Sequence, residues 1–171
     1  MKKLISVLLA CCLLLCVLPA ASASASTEAN ATYLSTKSFL IWLESNDIIY
    51  DYIGVDDDGY EIVVVDMSGD NFDFSIKCVF YDGNGSAAMY VYNIIEYHKT
   101  DFNKALSACN DLNASYRYAS FFCDESDNTV TAQTDMLFVR TSDSGDLAGE
   151  HLLRIAAIVD DAYPDLAACA K

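Results

Sequence analysis

Between Thr100 and Val139 the spacing of apolar residues switches from helical to extended, and that switch constrains the fold more than any other feature of the chain. Phe102, Ala105, Leu106, Cys109 and Leu112 recur three or four residues apart, giving one apolar helix face while Asn103, Lys104, Ser107 and Asp111 face water. Asn113 and Ala114 end this helix. From Tyr116 to Cys123 the pattern is aromatic and extended. Asp124 to Asn128 supply turn residues, and Val130, Ala132, Met136 and Phe138 line one side of a returning strand. The implied core is a helix laid on a sheet.

The flanking sequence extends this unit in both directions. A first helix is predicted over residues 35–46, capped by Ser35 or Thr36, with Phe39, Leu40, Trp42 and Leu43 on its buried side. Strands follow over residues 48–55 and 60–67, joined by the turn Asp56, Asp57, Asp58, Gly59. The consecutive Val63, Val64 and Val65 predict a central strand covered on both faces, by helices on one side and another molecule on the other. Phe72, Phe74, Ile76, Cys78 and Phe80 alternate with polar neighbours, and a further strand spans residues 87–95 with Tyr90 and Tyr92 on one side. A last helix runs over residues 146–163 on the stripe Ala148, Leu152, Ile155, Ala156, Val159 and Ala162, stopped by Pro164 and followed by a short tail, residues 165–171. The expectation is one α+β domain over residues 35–166: an antiparallel sheet of about six strands and three helices, in the order α-β-β-β-β-α-β-β-α.

The N-terminus carries Lys2 and Lys3, about 15 apolar residues from Leu4 to Leu18, then Pro19 and small residues. That is the pattern of an export signal and is too short for a membrane span, which needs ~20 apolar residues. Residues 1–25 are read as a signal peptide cleaved after Ala23 or Ala25, and residues 26–34 as a flexible leader. A lipid anchor on Cys11 is the weaker alternative, since only Leu4 to Ala10 would precede that cysteine. The formal net charge is −15, and loss of Lys2 and Lys3 leaves eight basic against 25 acidic side chains. Such a field repels nucleic acid and favours solubility or a basic partner.

Cys78, Cys109, Cys123 and Cys169 remain after the signal, an even number that allows one or two disulfides in an exported protein or a set of reduced core thiols. Cys109 lies one turn before the helix end and Cys123 seven residues beyond Tyr116, about 23 Å along the strand at ~3.3 Å per residue, so a Cys109–Cys123 pair is expected to be out of reach. No CxxC or Cys/His cluster suggests zinc, and no metal or cofactor is expected. The acidic turns at Asp56–Gly59, Asp82–Ser86 and Asp124–Asn128 depart from calcium-loop spacing and read as hairpin turns. His98 and His151 have no motif partner that would make them catalytic, so the protein is expected not to be an enzyme.

Leu112 and Asn113 at the helix end, Tyr116 and Arg117 after them, Ala119 and Phe121 in the strand, Asp124 and Asn128 in the turn and Val130 on the return resemble the YbjN family. Its members share the type III secretion chaperone-like fold. Asp160, Tyr163 and Pro164 in the last helix are similar to the family's ending, so the resemblance covers roughly residues 35–166. It implies small acidic proteins, often dimeric, that hold an extended partner chain on sheet and helix surfaces. The export signal is a departure from that pattern.

These readings predict a secreted, non-enzymatic module that binds a protein or peptide and forms a homodimer through its apolar sheet. Tyr60, Tyr81, Tyr90 and Tyr92 are the candidate binding surface, because tyrosine offers a large contact area with a polar tip. A small secreted hydrolase built on scattered carboxylates is the competing reading, and it requires two acids with perturbed ionisation in one cleft. A cell-envelope lipoprotein is the other.

Overall fold

The computed structural model describes residues 31–81 and 85–171. The expected export signal and its cleavage sites, Cys11 and the expected turn at Asp82–Asn84 lie outside the described residues. The elements are α1 (Leu34–Ser45), β1 (Asp51–Val55), β2 (Glu61–Ser68), β3 (Asp73–Phe80), β4 (Ser86–Glu96), α2 (Phe102–Ser115), β5 (Ser120–Asp124), β6 (Thr129–Leu137) and α3 (Ser144–Ala167). The strands form one antiparallel sheet in the order β1-β2-β3-β4-β6-β5. The α+β class, the six strands and the three helices are therefore as the sequence predicts.

Strand register divides the sheet into two faces. Val63, Cys78, Met89 and Thr134 lie opposite one another in one row, and Val91, Ala132 and Phe121 in the next. Most of these residues join Phe39, Leu40 and Leu43 of α1, Ala105, Cys109 and Leu112 of α2, and Leu152, Ile155 and Val159 of α3 in one buried core. The helices thus cover one face. Burial of large aliphatic and aromatic side chains there, at roughly 1.5–3 kcal/mol each, is the main force holding helices to sheet. The other face carries Val64, Lys77, Tyr90, Gln133 and Ser120 in one row and Ile62, Val79, Ala88 and Asp135 in another.

Five local expectations are corrected by the assembled fold. Residues 31–34 are not a loose leader: Ala31 is buried, and the backbone N–H groups of Thr32 and Tyr33 donate to the buried carboxylate of Glu61. Ser35 and Thr36 do not cap α1, because the N-cap is Tyr33 and both hydroxyl residues are buried within the helix. Leu106 is more than a third exposed, since the sheet takes the Ala105, Cys109 and Leu112 side of α2. Pro164 does not stop α3, which continues to Ala167. Proline lacks the N–H that would bond the carbonyl of Asp160, and Asn71 Nδ2, from the β2–β3 turn, donates to that carbonyl at 2.9 Å instead. Nor are residues 165–171 a free tail: Cys169 is buried, and Lys171 Nζ pairs with Glu96 at 2.8 Å while its backbone N–H donates to the Glu96 carbonyl.

Candidate functional site

The face of the sheet that carries no helix among the described residues is built from alternate residues of β2, β3, β4 and β6. Three of its apolar residues are nonetheless closed to water: Ile62, Val79 and Ala88 are 5 %, 6 % and 0 % exposed. The tyrosines singled out from the sequence stand beside this floor. Tyr60 and Tyr81 continue β2 and β3 by one residue and meet edge to face, ring centroids 4.9 Å apart. The hydroxyl of Tyr81 lies 3.2 Å from that of Tyr90, and Tyr90 stacks on Tyr92 at 5.4 Å with the rings nearly parallel. The four rings form an unbroken chain across three strands. The apolar stretch at Ile62 is therefore covered within one chain, whereas the sequence led us to expect a second molecule over it.

Environment shapes these phenols. Burial, followed by the hydrogen bond with Tyr90 and the nearby Asp135, pushes the Tyr81 hydroxyl far above the ordinary range. Burial and then Tyr90 raise that of Tyr92, which is still half exposed. Tyr81 and Tyr92 therefore stay neutral at physiological pH, and the four rings present apolar flanks with hydrogen-bonding tips.

The chain of rings joins two depressions. At the Tyr92 end β3 stops pairing with β4 beyond Lys77–Tyr90, and Asn93 adopts φ +55°, a left-handed conformation that asparagine tolerates well. The strands splay there, opening a cleft of about 270 Å³ lined by Val64, Phe74, Lys77, Tyr92 and Ile94 among others. At the Tyr81 end a shallower depression of about 580 Å³ is bordered by Asp135, Leu137, Leu147 and His151. Asp51, Asp66, Asp73 and Asp135 stand exposed at register positions of this same face, and Lys77 is the one basic residue in the six described strands. The surface is aromatic along its middle and negative around it.

The other candidate residues fall elsewhere. Cys78, Cys109, Cys123 and Cys169 are free thiols. Cys78 sits in the core of β3, but Cys109 Sγ and Cys123 Sγ are 3.8 Å apart, which corrects the expectation that they are out of reach. The chain reverses after Ser115, and β5 begins only at Ser120, so the strand runs back along α2 instead of leading away. Reversal brings residues 14 apart in sequence into contact.

The acidic turns at Asp56 and Asp124 use their carboxylates locally. Asp56 Oδ1 accepts the N–H groups of Asp58 and Tyr60, and Asp124 Oδ1 accepts from the N–H and hydroxyl of Ser126. These bonds hold the Asp124 carboxyl below its usual range. Asp160 is lowered as well, chiefly by accepting the N–H of Asn71 and then that of Asp70. The competing hydrolase reading requires two acids with perturbed ionisation in one cleft; Asp124 and Asp160 are half-buried and both lowered, each by hydrogen bonds from its own neighbourhood. His151 lies against Thr134, Nδ1 to Oγ1 3.3 Å, and burial followed by Arg154 lowers its pKa and favours the neutral ring.

Sequence reasoning missed Glu61. It is fully buried and accepts from Thr32 N, Tyr33 N and Tyr52 Oη, the last at 3.0 Å, tying the N-terminal segment and β1 to β2. An acid at the head of the apolar run Ile62–Val65 is the signal that could have found it, because a carboxylate buried there must be fed by donors.

No family model matches the chain, and no curated protein matches it. Solved structures similar to it include these two. One is the crystal structure of YbjN from E. coli, at 14 % identity and a TM-score of 0.48, covering 71 % of this chain and 86 % of that one. The other is a chain from the structure of the HopA1–SchA chaperone–effector complex, at 16 % identity and 0.45, covering 75 % and 94 %.

Proposed function

We propose that this protein is an exported binding module without chemistry of its own, which holds an extended, basic segment of another protein across its helix-free sheet face. The observation that carries the reading is the continuous chain Tyr60–Tyr81–Tyr90–Tyr92 between two depressions. Aromatic side chains of this kind supply contact area at small cost in conformational entropy and dominate binding energy at interfaces. The net charge of −15 and the exposed aspartates around the rings favour a basic occupant over a second copy of this acidic chain. Export rests on the N-terminal pattern, and intact-mass measurement of the protein recovered from its host tests it: a start at Ser24 or Ser26 supports it, and a diacylglyceryl Cys11 replaces it with a lipoprotein.

The binding test uses calorimetry with a panel of extended peptides of equal length, basic, neutral and acidic. The basic members should bind, more weakly as salt rises. Tyr92→Ala, at a half-exposed position, should weaken them at least tenfold, while Val139→Ala at a site 96 % exposed leaves affinity unchanged. Equal affinity for the acidic peptides, or a Tyr92→Ala protein that binds like the parent, removes the reading. Self-association is the second reading, and its observation is the open edge of β1, where Ile53 and Val55 are 65 % and 54 % exposed. Sedimentation equilibrium distinguishes a dimer from a monomer, and Ile53→Lys should dissociate a dimer formed along that edge.

A further inference from the structure

We propose that Cys109 and Cys123 are a built cross-linking site, two thiols placed to close into a disulfide that clamps α2 to the edge strand β5. Their sulfurs are 3.8 Å apart, so a bond of ~2.05 Å requires about 1.8 Å of closure, within reach of side-chain rotation. The two elements are already packed together around Ala105, Cys109, Leu112 and Phe121, so closure moves sulfur atoms and leaves the backbone in place. Asn113 holds the same junction through both of its amide atoms, donating to the Phe121 carbonyl and accepting the Phe121 N–H. Such reciprocal bonding fixes the register of helix against strand and keeps the two sulfurs opposed.

The remaining thiols are placed differently. Cys78 is sealed in the core of β3. Cys169 lies against α2, where its thiol is 3.9 Å from the Lys104 carbonyl, one turn before Cys109. It is close enough to act electrostatically on both members of the pair, which makes it the competitor the experiment must exclude.

The chemistry is thiol–disulfide exchange with a low-molecular-weight disulfide such as oxidised glutathione. Cys123, the more exposed of the two, loses its proton and attacks one sulfur of the reagent, forming a mixed disulfide and expelling one glutathione thiolate, which is protonated. Cys109 then loses its proton and attacks Cys123 Sγ, and the second glutathione leaves as thiol. Two protein thiols give up two electrons and two protons, and one reagent disulfide becomes two thiols. Burial pushes the Cys109 thiol up to about 12, so exchange is slow at neutral pH, as suits a bond formed once to stabilise the fold.

Peptide mapping resolves the site cleanly, because trypsin cuts after Lys104, Arg117, Arg140 and Arg154 and so places Cys109, Cys123 and Cys169 in separate peptides. The folded protein is incubated with excess oxidised glutathione, blocked with an alkylating reagent and digested without reduction. The expected product joins residues 105–117 to residues 118–140. Its formation should raise the melting temperature by roughly 8–12 °C, a shift lost in Cys109→Ser and in Cys123→Ser and kept in Cys169→Ser. A link from residues 105–117 to residues 155–171 overturns the assignment, and so does recovery of all four cysteines as alkylated thiols.

Discussion

Helix α3 reaches α1 through two glycines one turn apart, and replacing them tests how closely the helical layer is packed. A Cβ on Gly145 would lie 2.4 Å from the Ser38 carbonyl oxygen and 2.8 Å from its carbon. A Cβ on Gly149 would lie 2.2, 2.3 and 2.4 Å from three ring atoms of Trp42, where ordinary contact is 3.4–4 Å. Alanine gains about 1 kcal/mol over glycine inside a helix, and less in the first turn where Gly145 sits. Overpacking costs roughly 1–3 kcal/mol, so the sign depends on what must move. Against Gly149 the obstacle is a partly exposed ring stacked on Phe39 at 6.4 Å, which can swing outward. Against Gly145 it is backbone, and only separation of the helices relieves it.

Gly149→Ala should therefore cost about 1 kcal/mol and Gly145→Ala about 2–3 kcal/mol, or roughly 3 °C and 6–10 °C in melting temperature. Ala157→Gly on the exposed side of the same helix calibrates the propensity part alone. Trp42 is the only tryptophan, so its emission reports the site directly and should shift to the red in Gly149→Ala as the ring enters water. A Gly145→Ala protein that melts at or above the parent temperature would refute the reasoning, because the approach of α3 to α1 would not depend on a missing side chain.

Other substitutions probe the polar ties. Thr36 Oγ1 is buried without a partner among the described residues, so Thr36→Val should be neutral or stabilising by about 0.5–1 kcal/mol in urea unfolding, and a loss would reveal a hydrogen bond. Gly69→Ala would put a Cβ 2.1 Å from Asp160 Oδ1 and 2.8 Å from the Phe72 carbonyl, and should destabilise by roughly 1–3 kcal/mol by the same assay. The carboxyls of Asp160 and Asp124 are depressed in the fold, so their contribution is complete above the ordinary aspartate range and disappears as pH falls through the lowered values. Asp160→Asn should flatten the loss of urea midpoint on the acid side, and an unchanged slope would contradict this. At the alkaline end Tyr52 and Tyr116 are raised to about 12, Tyr52 by burial and then Glu61, Tyr116 by its bond to Asp161 and then burial. Their contribution is complete below ~10 and lost as pH climbs towards 12. Tyrosinate absorbance should therefore develop together with loss of the circular dichroism signal, and full titration near pH 10 with the fold intact would count against it.

What the sequence reveals here divides along the difference between period and direction. Alternation from Phe72 to Phe80 locates β3 and its faces, and the stripe from Ala148 to Ala162 locates α3, because each element is marked by its own neighbours. The same parity puts Tyr90 and Tyr92 on one face. Placing Tyr60 and Tyr81 against them needs strand register, which the hairpins fix but apolar spacing alone does not. The Cys109–Cys123 error has that origin. Spacing marks the helix and the strand correctly in kind, but the four residues Tyr116–Ala119, extended in pattern, are the turn that reverses the path. Pro164 illustrates the complementary failure: its local rule, that a missing N–H ends a helix, holds only when nothing else serves the orphaned carbonyl. Asn71, 89 residues earlier in the chain, serves it. Glu61 belongs with these, since its three donors come from the N-terminal segment and β1 and become visible only once the sheet is assembled. Each miss is a contact across the fold that overrides a preference within a segment. The tyrosine chain and the thiol pair are contacts of the same kind, so their chemistry belongs to the assembled sheet and helices and to no short stretch of sequence.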